Sequence, residues 1–436
     1  MEGKKGVIGT HKYHSFFLYL CNKIMEKDKN ITMNPMKSIL KSFLLPGVVA
    51  LLAVSCNGTK ETNVLTLSGL NPADFDTIYV DSIQGEKAVK LYTLTNGKGM
   101  EVCVTNFGGR VVSIVVPDKN GKSTDVVLGF PTAASYFPEN NSSDFGASVG
   151  RYANRIKNGL LPIGEDTIQL AQNNYGHCLH GGLHGWMYQV YDAEQLNYNT
   201  LKFSLTAPDG ENSFPGEVKV TVTMKVTEDN ALDICYEGTT DKTTVLNMTN
   251  HSYFNLNGDP TQPITNCIAQ IHADHYTPTD HTYMTTGEIA PVTGTAFDFT
   301  SPKMIGQDFI GETPDQALVA IENGEDHTGY DHNWVLNTYK DGKGDETQVC
   351  ATVYSPSTGI LLEVFTNEPG IQFYTGNFQN GTVVGKQGIK YPKNAAFCLE
   401  TQKYPDAPNK PDWPSSLLNP GETYYSRCIY KFSIRN

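Results

Sequence analysis

Histidines, acids, amides and glycines concentrate in a few segments, and their spacing admits acid–base chemistry on a small ligand. Residues 173–182 (NNYGHCLHGG) set His180 directly before two glycines. Glycine permits a tight turn and close backbone approach to a ligand, so a histidine there can project into a cleft. His177, His180 and His184 also have spacings that a metal could use, but no strand or helix register brings all three to one side. No metal site is therefore assigned, and a solvated loop is the expected setting of His177 and His184. In residues 245–256 (VLNMTNHSYFNL) His251 sits among apolar and amide neighbours, where a histidine taken alone is more often a hydrogen-bonded core residue than a catalyst. Glu400 follows an apolar run in residues 397–401 (FCLET), and a cleft environment would raise its pKa toward the range useful to a general base. Asp331, in residues 329–334 (GYDHNW), has a similar setting, with turn capping as its competing role.

The whole chain narrows the field. Its 436 residues carry 33 Lys and Arg against 46 Asp and Glu, a formal charge of −13, with 39% hydrophobic residues. That is enough apolar material for a buried core. No stretch has the roughly 18 or more apolar residues of a membrane-spanning helix, and an acidic chain without a Lys/Arg block is unsuited to a nucleic-acid partner. Residues 1–55 read as a leader: a short basic segment at 36–42 (MKSILKS), an apolar run at 43–54, then Ser55 and Cys56. Translation is expected to start at Met33 or Met36. Residues 53–56 (AVSC) resemble a bacterial lipobox, so Cys56 is the expected lipidation site and the protein an exported lipoprotein, periplasmic or membrane-anchored through that lipid alone. Residues 56–70 then serve as lipidated cysteine and tether, and residues 71–436 as the catalytic domain. The other seven cysteines outside the leader lie far apart, form no Cys-x-x-Cys pair, and read as small buried core residues.

The elements that must position the candidates alternate with period two. In residues 217–226 (EVKVTVTMKV) Val218, Val220, Val222, Met224 and Val226 share one face, and residues 427–434 (RCIYKFSI) repeat the pattern. Residues 111–117, 118–121 and 125–128 read as strand, turn and strand. Helical periodicity over more than about ten residues is absent. The expected class is all-β, antiparallel because no crossover helices are available, in one large sandwich, with two fused sandwiches as the alternative.

Taken together, the segments resemble the aldose 1-epimerase (galactose mutarotase) family. The resemblance runs from about Leu91 to Phe432 and includes residues 125–130 (DVVLGF), 145–156 (FGASVGRYANRI), 179–182 (LHGG), 249–256 (TNHSYFNL), 286–292 (TGEIAPV), 330–333 (YDHN), 370–377 (GIQFYTGN) and 398–402 (CLETQ). No motif of the family is missing, and the leader is the departure. The resemblance implies a large antiparallel β-sandwich, the mutarotase-like supersandwich, with an open sugar cleft. It further implies an isomerase that interconverts α and β anomers of galactose or glucose by acid–base ring opening and reclosure. Matched position by position, Glu400 is the general base, His251 the general acid and His180 the second histidine at the ring-oxygen side. Asn154, Arg155, Asp331 and Gln372 match sugar-hydroxyl contacts, and Tyr253 is a candidate for the cleft wall. No cofactor is required by that chemistry. The acidic balance would suit a structural Ca²⁺, but the sequence has no ligand loop of spaced Asp with a terminal Glu. The expected partner is a small aldohexose and the expected state a monomer. A glycosidase or a non-catalytic carbohydrate-binding protein of related fold is the alternative.

Overall fold

The computed structural model describes residues 64–141 and 143–435. The leader, Cys56 and most of the tether lie outside the described residues. Thr66–Leu70, assigned above to the tether, already pack onto the body: the Leu67 amide donates to Glu101, the Ser68 hydroxyl to Ser113, and Leu70 is buried.

Alternation of apolar and polar side chains shapes the body, because a strand that hides one face must send its odd and even residues to opposite sides. Among the described residues there is no α-helix; the helical pieces are 3-10 turns of three or four residues. No described helix is long and apolar enough to cross a membrane. Val218–Val226 buries the five side chains picked out by period two. It belongs to a nine-stranded antiparallel sheet in which the C-terminal strand, Tyr424–Ile434, pairs with Ala231–Thr240 on one side and Ile360–Thr366 on the other. Residues 427–434 thus lie at the middle of the sheet. A four-stranded sheet contains Arg110–Pro117 paired with Ser123–Asp125; the first strand and the turn fall where expected, but the second strand ends at Asp125 instead of running over 125–128. A five-stranded sheet runs Ala290–Pro291, His275–Thr277, Asp331–Val335, Gly370–Tyr374, Cys398–Gln402.

One hydrophobic core draws on all three sheets, including Val102 and Ile114, Val222 and Ile234, and Trp334, Phe373 and Leu399. That shared core favours a single packed body over two fused sandwiches. Tyr430 shows how the sheets are tied: its hydroxyl, buried, donates to the Leu399 carbonyl at 2.8 Å. The cysteines behave as core residues, with all seven described ones unpaired and six of them buried; Cys235 is half-buried.

Phe373 stands at the centre of an aromatic cluster, with Phe299, Tyr330 and Trp334 ring centroids 5.6, 5.6 and 5.9 Å away. It backs the strand that carries Gln372. Phe373→Ala is expected to cost about 3–5 kcal/mol of stability, measured by urea unfolding followed through Trp fluorescence. A loss below about 1 kcal/mol would mean that the cluster closes over the cavity and does not hold the strand in place.

Candidate active site

Three of the candidate residues are neighbours because of strand register. Asp331–Val335 pairs with Gly370–Tyr374 so that Asn333 faces Gln372, and Gly370–Tyr374 pairs with Cys398–Gln402 so that Gln372 faces Glu400. Period two then puts Asp331, Gln372, Tyr374 and Glu400 on one face while Trp334, Phe373 and Leu399 fill the core on the other. The Gln372 side-chain amide donates to Asp331 Oδ1 at 2.7 Å. Gln372 itself does not line the cleft; it is buried behind Asp331 and Glu400.

The remaining candidates arrive on loops pinned by short ladders. Leu179 pairs with Arg155, so His180 leaves the ladder directly opposite Asn154. Both have left-handed backbone, φ 51° at His180 and 63° at Asn154, and they bond reciprocally: the His180 amide donates to the Asn154 carbonyl and the Asn154 amide to His180 Nδ1, each at 3.2 Å. Gly181 lets this turn close against the neighbouring loop, since a Cβ there would lie 2.3 Å from the Gly150 carbonyl oxygen. Arg155 Nε donates to Asn174 Oδ1 at 3.0 Å, and its guanidinium lies 5.5 Å from the Tyr283 ring centroid. His251 follows the two-residue strand Thr249–Asn250, which pairs with Ser148–Val149.

These elements converge on a cleft of about 430 Å³, lined by Asn154, Arg155, His180, His251, Tyr253, Asp331 and Glu400, within the ordinary size range of small-molecule sites. His251 Nε2 is 3.5 Å from Glu400 Oε1, and Glu400 Oε2, buried, has no hydrogen-bond partner within the protein. The His180 and His251 rings meet edge to face at 5.4 Å, and Tyr253 stacks on His251 at 5.0 Å.

Environment separates the two histidines. Burial pushes the His180 pKa down to about 3, helped by the neighbouring His251 and Arg155 and resisted by Asp144. Burial also works against the charge on His251, but Asp144, Glu400 and Asp331 together raise its pKa above the ordinary imidazole value. Burial raises Glu400 to about 7, with Asp331 and Asp144 adding to the rise and His251 and Arg155 opposing it.

Sequence reasoning missed Asp144. Its Oδ2 lies 3.3 Å from His251 Nε2 and its Oδ1 accepts the Tyr253 hydroxyl at 2.8 Å. The signal was adjacency, since Asp144 immediately precedes the motif at 145–156. Tyr374 was also missed as a lining residue. Of the two histidines expected in a solvated loop, His184 is exposed as expected, but His177 is buried, with Nδ1 accepting the Asn158 amide and Nε2 bonded to Thr282 Oγ1. Both stand apart from the cleft lining. The side chains of Asp144, His180 and His251 come close enough to suggest a metal, their ligand atoms lying within 4.8 Å of one another. The donor set does not fit one. His180 Nδ1 accepts the Asn154 amide, so the neutral ring carries its proton on Nε2 and leaves no free lone pair, whereas a ligating histidine offers one nitrogen to the metal and donates the N–H of the other.

The aldose 1-epimerase family profile matches residues 90–431. The chain belongs to the aldose 1-epimerase family. It is 39% identical to galactose mutarotase from Rattus norvegicus over 358 residues, 82% of this chain and 98% of the relative. Aldose 1-epimerase from Escherichia coli K12 is 36% identical over 346 residues, 79% of this chain and 95% of the relative. Among solved structures, a GalM/aldose epimerase homologue from C. elegans superposes with a TM-score of 0.71 at 31% identity, covering 80% of this chain and all of the homologue. The fold class expected from alternation is the one these epimerase relatives share.

The contrast between the histidines is directly measurable. In long-range ¹H–¹⁵N spectra of the sugar-free epimerase, His180 is expected to stay neutral from pH 8 to pH 5, protonated on Nε2 only. Titration of His180 within that range would remove the distinction between the two rings.

Proposed function

We propose that the chain interconverts the α and β anomers of an aldohexose, galactose or glucose. Glu400 acts as general base, His251 as general acid, and His180 as a neutral hydrogen-bond donor at the ring-oxygen side. The observation that carries this reading is the buried Glu400–His251 pair, 3.5 Å apart, with Glu400 Oε2 left without a partner in the cleft.

Opening a pyranose hemiacetal takes one proton from the anomeric hydroxyl O1 and gives one to the ring oxygen O5. Ionised Glu400 takes the first and the His251 imidazolium gives the second. The C1–O5 bond breaks as the C1–O1 carbonyl forms, the aldehyde turns about C1–C2, and closure on the other face returns both protons. Nothing leaves, and the pair ends in its starting state. His180, with a pKa held near 3, is a poor carrier of that second proton, so its Nε2–H serves to orient the ring oxygen. Asn154, Arg155 and Asp331, which line the cleft, hold the remaining hydroxyls in this reading while C1 turns, and Gln372 acts through its hydrogen bond to the Asp331 carboxylate. Tyr253 forms the wall beside His251.

The export reading stands with it as a proposal: Cys56 is the lipidated mature N-terminus, translation begins at Met33 or Met36, and the protein is a membrane-tethered monomer. Its support is the order of basic, apolar and Ala-Val-Ser-Cys segments. Intact mass of native protein should show acylated Cys56 at the N-terminus, and Cys56→Ser should move the enzyme to the soluble fraction. Peptides from residues 1–32, or a cytoplasmic protein with unmodified Cys56, would reject it.

Polarimetry of freshly dissolved α-D-galactose and α-D-glucose tests the activity. Turnover is expected to rise with pH through about 7, as Glu400 loses its proton, and to be limited on the alkaline side by loss of the His251 proton, which its carboxylate neighbours hold above the ordinary imidazole value. Glu400→Gln should lower kcat by about 10²–10⁴-fold or more, the usual worth of a general base. Near-normal turnover in that variant would refute the assignment of the base.

A further inference from the structure

We propose that Asp144 is a positioning residue for the acid, a fixed counter-ion that keeps the His251 imidazole protonated and aimed through Nε2, with Tyr253 anchoring it. The inference rests on the reading of His251 as general acid.

Asp144 is geared to His251 through the backbone. The Gly146 amide donates to the His251 carbonyl and the His251 amide to the Ala147 carbonyl, each at 2.9 Å, so the acid and its counter-ion belong to one hydrogen-bonded unit. The turn between them needs glycine: Gly146 has φ 68°, and a Cβ there would lie 1.9 Å from the Val111 carbonyl oxygen. From below, the buried Arg110 guanidinium donates to the Phe145 carbonyl at 3.0 Å. Tyr253 closes the unit by stacking on the His251 ring and donating its hydroxyl to Asp144 Oδ1, which leaves Oδ2 for the imidazolium.

The remaining groups around His251 show why a second carboxylate matters. Glu400 faces it from Cys398–Gln402, Asp331 from Asp331–Val335, Tyr374 from Gly370–Tyr374 and His180 from the loop after Cys178–Leu179. The Arg155 guanidinium also acts on Glu400, opposing the rise in its pKa. Glu400 cannot be a constant counter-ion, because it becomes neutral whenever it takes the O1 proton. Asp331 is already engaged by Gln372. Among the described carboxylates, Asp144 alone both touches Nε2 and keeps its charge through the cycle. Ionised Glu400 and the imidazolium of His251 become a neutral carboxylic acid and a neutral imidazole, then revert, while Asp144 stays ionised. Burial works against the Asp144 charge, but His251, then His180 and the Tyr253 hydroxyl, together hold its pKa below the ordinary carboxylate value.

The test is a ¹H–¹⁵N NMR titration of His251 in the sugar-free enzyme beside the pH profile of kcat. Asp144→Asn is expected to lower the His251 titration point by about 1–3 pH units, the usual effect of losing an adjacent opposite charge, and to move the alkaline limb of kcat by the same amount. Asp144→Glu should restore part of the shift, and Tyr253→Phe, which preserves the stacked ring, should shift both readouts less in the same direction. If Asp144→Asn does not fold, Tyr253→Phe and Asp144→Glu decide. An unmoved His251 titration and limb, even with lower turnover, would overturn the proposal, because a purely structural role scales kcat at every pH. Absence of mutarotation by the wild type would instead reject the functional reading, while the sugar-free titration would still report on Asp144.

Discussion

Burying an ionisable carboxylate against an imidazole is the constraint on which this structure turns. Removing Glu400 from water disfavours its charge, and its pKa moves to about 7. A base in that position is useful only if a proton is available at similar pH on a neighbouring group. His251, 3.5 Å away, supplies that neighbour. The pair therefore titrates as a unit, one proton being shared between two sites whose preferences have been brought together. The surroundings have to keep the two groups close and dry without neutralising either, which is a severe demand on backbone placement.

The fold meets that demand with sheet for Glu400 and pinned loops for the two histidines. Glu400 stands on Cys398–Gln402, the last strand of the five-stranded sheet, held to Gly370–Tyr374 on one side, with its neighbours Leu399 and Phe397 locked in the hydrophobic core. Movement of Glu400 would require that core to repack, and well-packed interiors resist it. The histidines come instead from irregular segments, where left-handed residues and close glycine turns substitute for a long ladder. The reciprocal bonds between Asn154 and His180 do for one imidazole what the paired amides of Gly146 and His251 do for the other.

What could be read from the sequence follows this division. Strands announce themselves by alternation, so Val218–Val226 and the C-terminal strand were visible, and with them the all-β class. Glu400 was visible because a charge after an apolar run conflicts with burial unless it has a role. His251 was ambiguous by composition, and the family resemblance, not periodicity, singled it out. Gln372 could be matched to its motif, but its burial behind Asp331 depends on cross-strand register, which no single segment encodes. His177 looked solvated because its loop is polar; its partners, Asn158 and Thr282, come from 19 and 105 residues away. Asp144 escaped for the same reason. A single acid in a loop has no period, and its contact with His251 arises from the pairing of two very short strands, Ser148–Val149 and Thr249–Asn250.

The two histidines show that residue type sets a range of chemistry and the surroundings choose within it. Both rings are buried, both lie in the same cleft, and their centroids are 5.4 Å apart. Two positive charges at that distance in a poorly solvated cleft would repel strongly, so only one imidazole can be the proton carrier. The choice between them is made by their partners. A backbone amide pointing at His180 Nδ1 favours the neutral ring, because it occupies the lone pair that a second proton would need. Carboxylates facing His251 favour the charged ring. Glu400 is common to the acid–base exchange and to the stabilisation of that charge, and these duties conflict once it has accepted a proton. A second carboxylate outside the proton exchange removes the conflict, which gives the short loop before residues 145–156 its place in the chemistry.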